Sequence, residues 1–102
     1  VNLNIDGTKF DELQGILIGG IIEEIKSELE SASLPPTQVR DLLEKISFSV
    51  AAILDGSRSV EFEGVEANPV VTFSVEGNLV SGGGNSWMHE YVFGTIAEIY
   101  GE

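Results

Sequence analysis

Ile46-Ser47-Phe48-Ser49-Val50-Ala51-Ala52-Ile53-Leu54-Asp55-Gly56 carries two periods at once. With a period of two, Ile46, Phe48 and Val50 fall on one face, Ser47 and Ser49 on the other, and strand formers dominate. With helical spacing, the same residues extend a helix that starts at Pro36 or Thr37 and carries Val39, Leu42, Leu43 and Ile46. That helix would run on through Val50, Ile53 and Leu54 to an Asp55-Gly56 stop. Pairing separates the two readings. If Leu54-Asp55-Gly56 is a three-residue hairpin loop with Gly56 in the left-handed region, Val50 faces Val60 and Phe48 faces Phe62. Ser49 then pairs with Glu61, and Ser47 with Glu63. Each strand acquires one apolar and one polar face, as a half-buried antiparallel pair requires. The helical reading leaves Phe48 off its apolar stripe, so the expectation is a hairpin.

Downstream, Glu66-Ala67-Asn68-Pro69 reads as a turn. Val70 to Val75 follows as a strand, with Val71, Phe73 and Val75 on one face. A Gly77-Asn78 turn would set Val75 opposite Val80. Gly82-Gly83-Gly84 ends the sheet, and Asn85 or Ser86 caps a last helix from Trp87 to about Tyr100, with Met88, Val92, Ile96 and Ile99 at helical spacing. Upstream, Val1 to Ile5 alternates as a short strand. Asp6-Gly7 turns, and Thr8 with Asp11 forms a capping box. Phe10, Leu13, Leu17, Ile21, Ile25 and Leu29 then mark a long helix, with Gly19-Gly20 as its weak point. Leu34-Pro35-Pro36 closes that helix. The predicted fold class is α+β: a long first helix, a short second helix, a four-stranded antiparallel meander and a C-terminal helix, with the helices on one sheet face.

The 102 residues suit a single domain over 1–102. Seventeen acids against five bases give a net charge of -12, while 42% of residues are hydrophobic. That much apolar content separates the chain from charge-driven disorder. Its shortage of clustered Lys and Arg argues against nucleic acid and against an anionic membrane surface. The longest apolar run, Leu13 to Ile22, is too short to cross a bilayer. A chain without cysteine has no disulfide or thiolate chemistry and fits either redox compartment. The N-terminus lacks the layout of a signal peptide, and Val1 in place of Met fits a trimmed chain or a leader already removed. Cytoplasm is the default localisation.

The charge is unevenly spread. The last 44 residues contain no Lys or Arg, and Glu61, Glu63, Glu66, Glu76, Glu90, Glu98 and Glu102 give them -7; the first 58 residues carry -5. In the meander, Glu61, Glu63, Ser47, Ser49 and Ser74 share the sheet face away from the core. Glu76 and Trp87 extend the same candidate partner-binding surface, which would attract a basic protein. Acids also keep a small protein soluble and discourage edge pairing, which is the competing account.

Other motifs weigh less. Asn2, Asn4 and Asp6 followed by Gly7 match the first half of a calcium loop, but the closing Glu would fall at Leu13, so no metal site is expected. Gly82-Gly83-Gly84 before a helix has no following Lys and lies in the acidic half, against nucleotide binding. His89, the only histidine, stands three residues after Ser86 and beside Glu90; a hydrolase or isomerase would need a carboxylate to orient it. Gly15 and Gly19, flanked by Ile18 and Ile22, would let a second helix approach closely, which motivates a homodimer or small-ligand-binding domain built on residues 13–25. The leading expectation is a non-enzymatic acidic protein, without cofactor, that binds a basic protein partner as an inhibitor or neutralising partner would.

Overall fold

The computed structural model describes residues 2–84 and 86–102. It is α+β. β1 (Leu3–Ile5) leads into α1 (Gly7–Ser31) and α2 (Pro36–Leu54), followed by β2 (Glu61–Phe62), β3 (Val65–Glu66), β4 (Phe73–Val75) and β5 (Asn78–Ser81). A 3₁₀ turn at Met88–Tyr91 then runs into α3 (Val92–Ile99). No helix among the described residues is long and apolar enough to cross a membrane.

The meander is corrected, because residues 46–54 are helical. α2 continues to Leu54 and stops at Asp55-Gly56, with Gly56 at φ +81°. Its buried row is Val39, Leu43, Ser47 and Ala51, with Ala52 beside it. Small residues, Ser47, Ala51 and Ala52, fill the C-terminal part of that row, so the apolar stripe is weak where the strand-like alternation lies. The apparent alternation therefore had no role in strand pairing, and Ala51-Ala52 favours the helix. Phe48 lies off the buried row, half-buried, with its ring 5.7 Å from Phe93 and 5.6 Å from His89.

α1 is unbroken through Gly19-Gly20. Its cap is Asp6, whose Oδ1 accepts from the Lys9 amide at 3.1 Å, so the helix starts ahead of the Thr8 box. Its fully buried row is Phe10, Gln14, Ile18 and Ile22, at four-residue spacing; Leu17, Ile21, Ile25 and Leu29 flank it half-buried. This row meets Leu43 and Ala51 of α2, Met88 of the 3₁₀ turn, Val92 and Ile96 of α3, and Val80 of β5 to make the core.

The strands form two sheets in place of one meander. β1, β5 and β4 form a three-stranded sheet in that order, β1 parallel and β4 antiparallel to β5; β2 and β3 form a separate hairpin. Both hairpins turn on a Glu-Gly pair. Glu63 and Gly64 have φ +51° and +80°, and Glu76 and Gly77 have φ +51° and +82°. Two successive positive φ values are what a tight two-residue hairpin turn needs, and Gly supplies the second without strain. The expected Gly77-Asn78 turn thus shifts back by one residue, and Val75 stands opposite Asn78, with Phe73 opposite Val80.

The C-terminal helix also begins later than expected, after a 3₁₀ turn. The cap proposed at Asn85 lies outside the described residues. The Ser86 hydroxyl donates to Gln14 Oε1 at 3.5 Å, so it is tied to α1.

Candidate functional site

Among the described residues, chemistry-bearing groups gather at the junction of α2 with the 3₁₀ turn and on the β2–β3 hairpin.

At the junction, α2 ends on Asp55, and the chain that returns after β5 brings His89 onto it. Asp55 Oδ2 lies 2.5 Å from His89 Nδ1 and accepts the His89 amide at 3.0 Å; Oδ1 accepts the Ser57 amide at 2.9 Å. The Asp55 side chain is fully buried. Burial works to raise its carboxyl, but the His89 amide, the Ser57 hydroxyl, the His89 ring and the Ser57 amide outweigh that and hold it below the usual range. An ionised carboxylate only accepts, so His89 Nδ1 carries the proton and presents it to Asp55. This is the orienting carboxylate that sequence spacing does not show, since Asp55 and His89 are 34 residues apart.

The pair has the acid-and-imidazole half of a hydrolytic triad. However, Ser57 Oγ approaches Nδ1, the nitrogen already facing Asp55, at 3.2 Å. In a triad the nucleophile and the orienting carboxylate sit on opposite ring nitrogens. Ser86 is engaged by Gln14. The Asp55–His89 contact is also a strut between the end of α2 and the 3₁₀ turn. Beside it, a cavity of about 200 Å³ is lined by Phe10, Leu54, Asp55, Val71, Gly82 and Ser86.

Gln14, inside the apolar run Leu13 to Ile22, is a second strut, and nothing in the spacing of the sequence marks it. It is fully buried. Its Nε2 donates to Asp11 Oδ1 at 2.9 Å and to the Tyr91 hydroxyl at 3.4 Å, and its Oε1 accepts the Trp87 amide at 3.3 Å. One amide so anchors both ends of segment 86–91 to α1.

The hairpin is built in the opposite way. Every residue from Glu61 to Asn68 is exposed, and β2 and β3 make their main contacts with each other. Phe62 and Val65 are cross-strand partners on one face, 76% and 69% exposed; Glu61 and Glu66 are partners on the other. Glu63 sits in the turn. The base of the hairpin is tied by the Ala67 amide donating to the Val60 carbonyl at 2.9 Å, and by Asn68, which receives the Val60 amide and donates to Glu66.

The bases lie elsewhere. Lys9 pairs with Glu12, Lys26 with Glu30, Arg40 with Glu44 and Glu102, and Lys45 with Asp41. Arg58 donates to the Ser49 hydroxyl at 3.2 Å. Lys9, Lys26, Arg40 and Lys45 are thus drawn into ion pairs within and between the helices and the C-terminus.

The residues expected to share one surface are separated. Ser47 is buried in α2 with its hydroxyl unpartnered, so it does not reach a partner. Ser49 lies on the same helix, bonded to Arg58. Ser74 is on the outer face of β4, and Glu76 is in the turn after it. Trp87 is half-exposed beside His89, with ring centroids 6.3 Å apart. Glu61 and Glu63 do fall together, on the hairpin. Of the helix residues considered for a dimer, Ile18 and Ile22 are inside the chain's own core, while Gly15 and Gly19 are partly exposed with open space where a Cβ would stand.

A scan against protein-family models, a search of curated proteins and a search of solved structures each found no match for this chain.

Proposed function

We propose that the protein is a non-enzymatic binding module that presents the β2–β3 hairpin to a basic protein partner. The observation that carries this reading is the composition of the hairpin: an exposed Phe62–Val65 pair backed by Glu61, Glu63 and Glu66 on an element that lends little to the core. Exposed aromatic and aliphatic side chains of this kind gain free energy only when a partner covers them, and anchors of this type dominate many interfaces. The surrounding carboxylates select a partner with Lys or Arg around an apolar groove and speed its encounter. No Lys or Arg follows them in the sequence, and Arg58, the base before them, donates to the Ser49 hydroxyl.

A fluorescent peptide alternating Lys with Leu and Phe is a direct probe. It binds the wild-type chain with an affinity that falls steeply with salt. Glu61→Lys with Glu63→Lys abolishes that binding, and Phe62→Ser weakens it at every salt concentration. Binding that ignores salt, or survives the double reversal, overturns the proposal.

A further inference from the structure

We infer that the free edge of β1 pairs antiparallel with β1 of a second copy, joining two three-stranded sheets across a two-fold axis at Asn4. Among the described residues, β1 is at the edge of its sheet and is bonded only to β5. Its even-numbered residues make those bonds: the Asn2 carbonyl accepts the Leu79 amide at 2.8 Å, and the Asp6 amide donates to the Ser81 carbonyl at 3.0 Å. Because successive main-chain groups point to alternate sides of a strand, the N–H and C=O of Leu3 and Ile5 point away from β5. The side chains are uncovered too. Leu3 is 61% exposed and Ile5 75% exposed, on the sheet face opposite Val80 and Phe73, which face the helices. Leu79, beside Leu3 in register, and Ser81, beside Ile5, complete an outer face without charge.

An edge strand with free main-chain groups and apolar side chains is a template for another strand. Three features identify that strand as a second copy. The first is parity. With the axis through Asn4, Leu3 stands opposite Ile5 of the second copy, and these are the residues whose main-chain groups are free. Each such pair exchanges both of its hydrogen bonds, and apolar meets apolar. The second is charge. On a chain of net charge -12, residues 1–5 hold no acid, so two copies meet there without placing carboxylates opposite one another within the strand. The third is area. The chain exposes 6510 Å², against about 5,600 Å² for a typical monomeric protein of its mass. The excess is of the size that one side of an interface covers.

Sedimentation equilibrium over micromolar to millimolar chain tests the pairing. The wild type moves from monomer towards dimer. Ile5→Pro removes an outward N–H that β5 does not use, so it leaves the chain monomeric with its circular dichroism and melting temperature retained. Asn4→Cys gives an independent reading should the proline variant not fold. Facing positions between hydrogen-bonded pairs have Cα atoms about 4.5 Å apart, within disulfide reach. As the chain's only cysteine, it forms a covalent dimer under mild oxidation, whereas Ser74→Cys on the far edge strand stays monomeric. A wild type that is monomeric throughout overturns the inference. A dimer that persists in folded Ile5→Pro does so too, as does cross-linking of Ser74→Cys as fast as Asn4→Cys. These variants leave residues 60–68 unchanged, so the peptide assay on the hairpin reports separately.

Discussion

Asp55 and His89 meet at 2.5 Å across the end of α2, and the same carboxylate also takes the His89 amide. The contact fixes where the chain returning from the sheet joins the helices. Asp55→Asn keeps the shape but loses the charge and one acceptor, leaving His89 donors without a full partner. Removing one member of a buried network of this kind costs about 2 kcal/mol, measured by urea denaturation at neutral pH.

The pH dependence follows from the direction of the Asp55 shift. Its carboxyl is held below its ordinary value in the folded chain, so the unfolded state binds the proton more readily. The stabilisation is fully present above the unfolded value of about 3.9 and fades as pH falls through the lower folded value. The stability gap between wild type and Asp55→Asn therefore narrows below about pH 4. Paired denaturation series across acidic pH measure this; a gap that widens on acidification contradicts it.

Glycine substitutions have opposite outcomes at two positions. A Cβ on Gly82 would stand 2.6 Å from Phe10 Cδ2, and the Phe10 ring is fixed in the core against Phe73. Gly82→Ala forces that ring to move and costs about 1–3 kcal/mol. Gly20 is an exposed residue inside α1 with open space around it. Gly20→Ala stabilises by about 1 kcal/mol, through helix propensity alone. Thermal melts of the two variants should move in opposite directions.

Ser47 carries a buried hydroxyl without a hydrogen-bond partner. Replacing it by Ala removes an uncompensated polar group and adds no bulk, so Ser47→Ala leaves stability unchanged or raises it, by up to about 1 kcal/mol. Peptide binding to the hairpin is unaffected. A large loss of stability would show that the hydroxyl has a partner.

Glu61 and Glu66 stand directly opposite on the hairpin, an arrangement that disfavours the folded pair. Glu66→Lys converts repulsion to attraction and steadies the hairpin by a few tenths of a kcal/mol. The same change weakens the basic peptide. Amide exchange at Phe62 and Val65 reads the first effect, and peptide titration reads the second.

The apolar helices were legible because their stripes repeat over many turns, and the α+β class follows from them. Residues 46–54 were misread because Ser47 and Ala51 fill the buried row. A helix that packs closely through small residues has a weak apolar stripe, while Ile46, Phe48 and Val50 copy a strand by coincidence. The turn at Gly77 was legible, one residue late, and the turn at Glu63-Gly64 was not, because Glu63 was placed in a strand; both depend on Glu63 and Glu76 taking positive φ, which composition does not signal. Asp55 with His89, and Gln14 with Trp87 and Tyr91, are contacts between distant segments, and spacing along the chain carries no record of them. The acid-rich character of the hairpin was legible; its separation from Ser47 and Ser49 was not, because it depends on the 46–54 assignment.

The hairpin's isolation has a consequence for how the protein can change. Residues 61–68 carry almost none of the core, so substitutions there leave the packing of the helices untouched. In most small domains a binding residue is also a packing residue, and a new specificity comes with a loss of stability. In the binding role proposed for the hairpin the two are carried by different segments, so the loop sequence is free to diversify, or to be exchanged for another, on an unchanged scaffold.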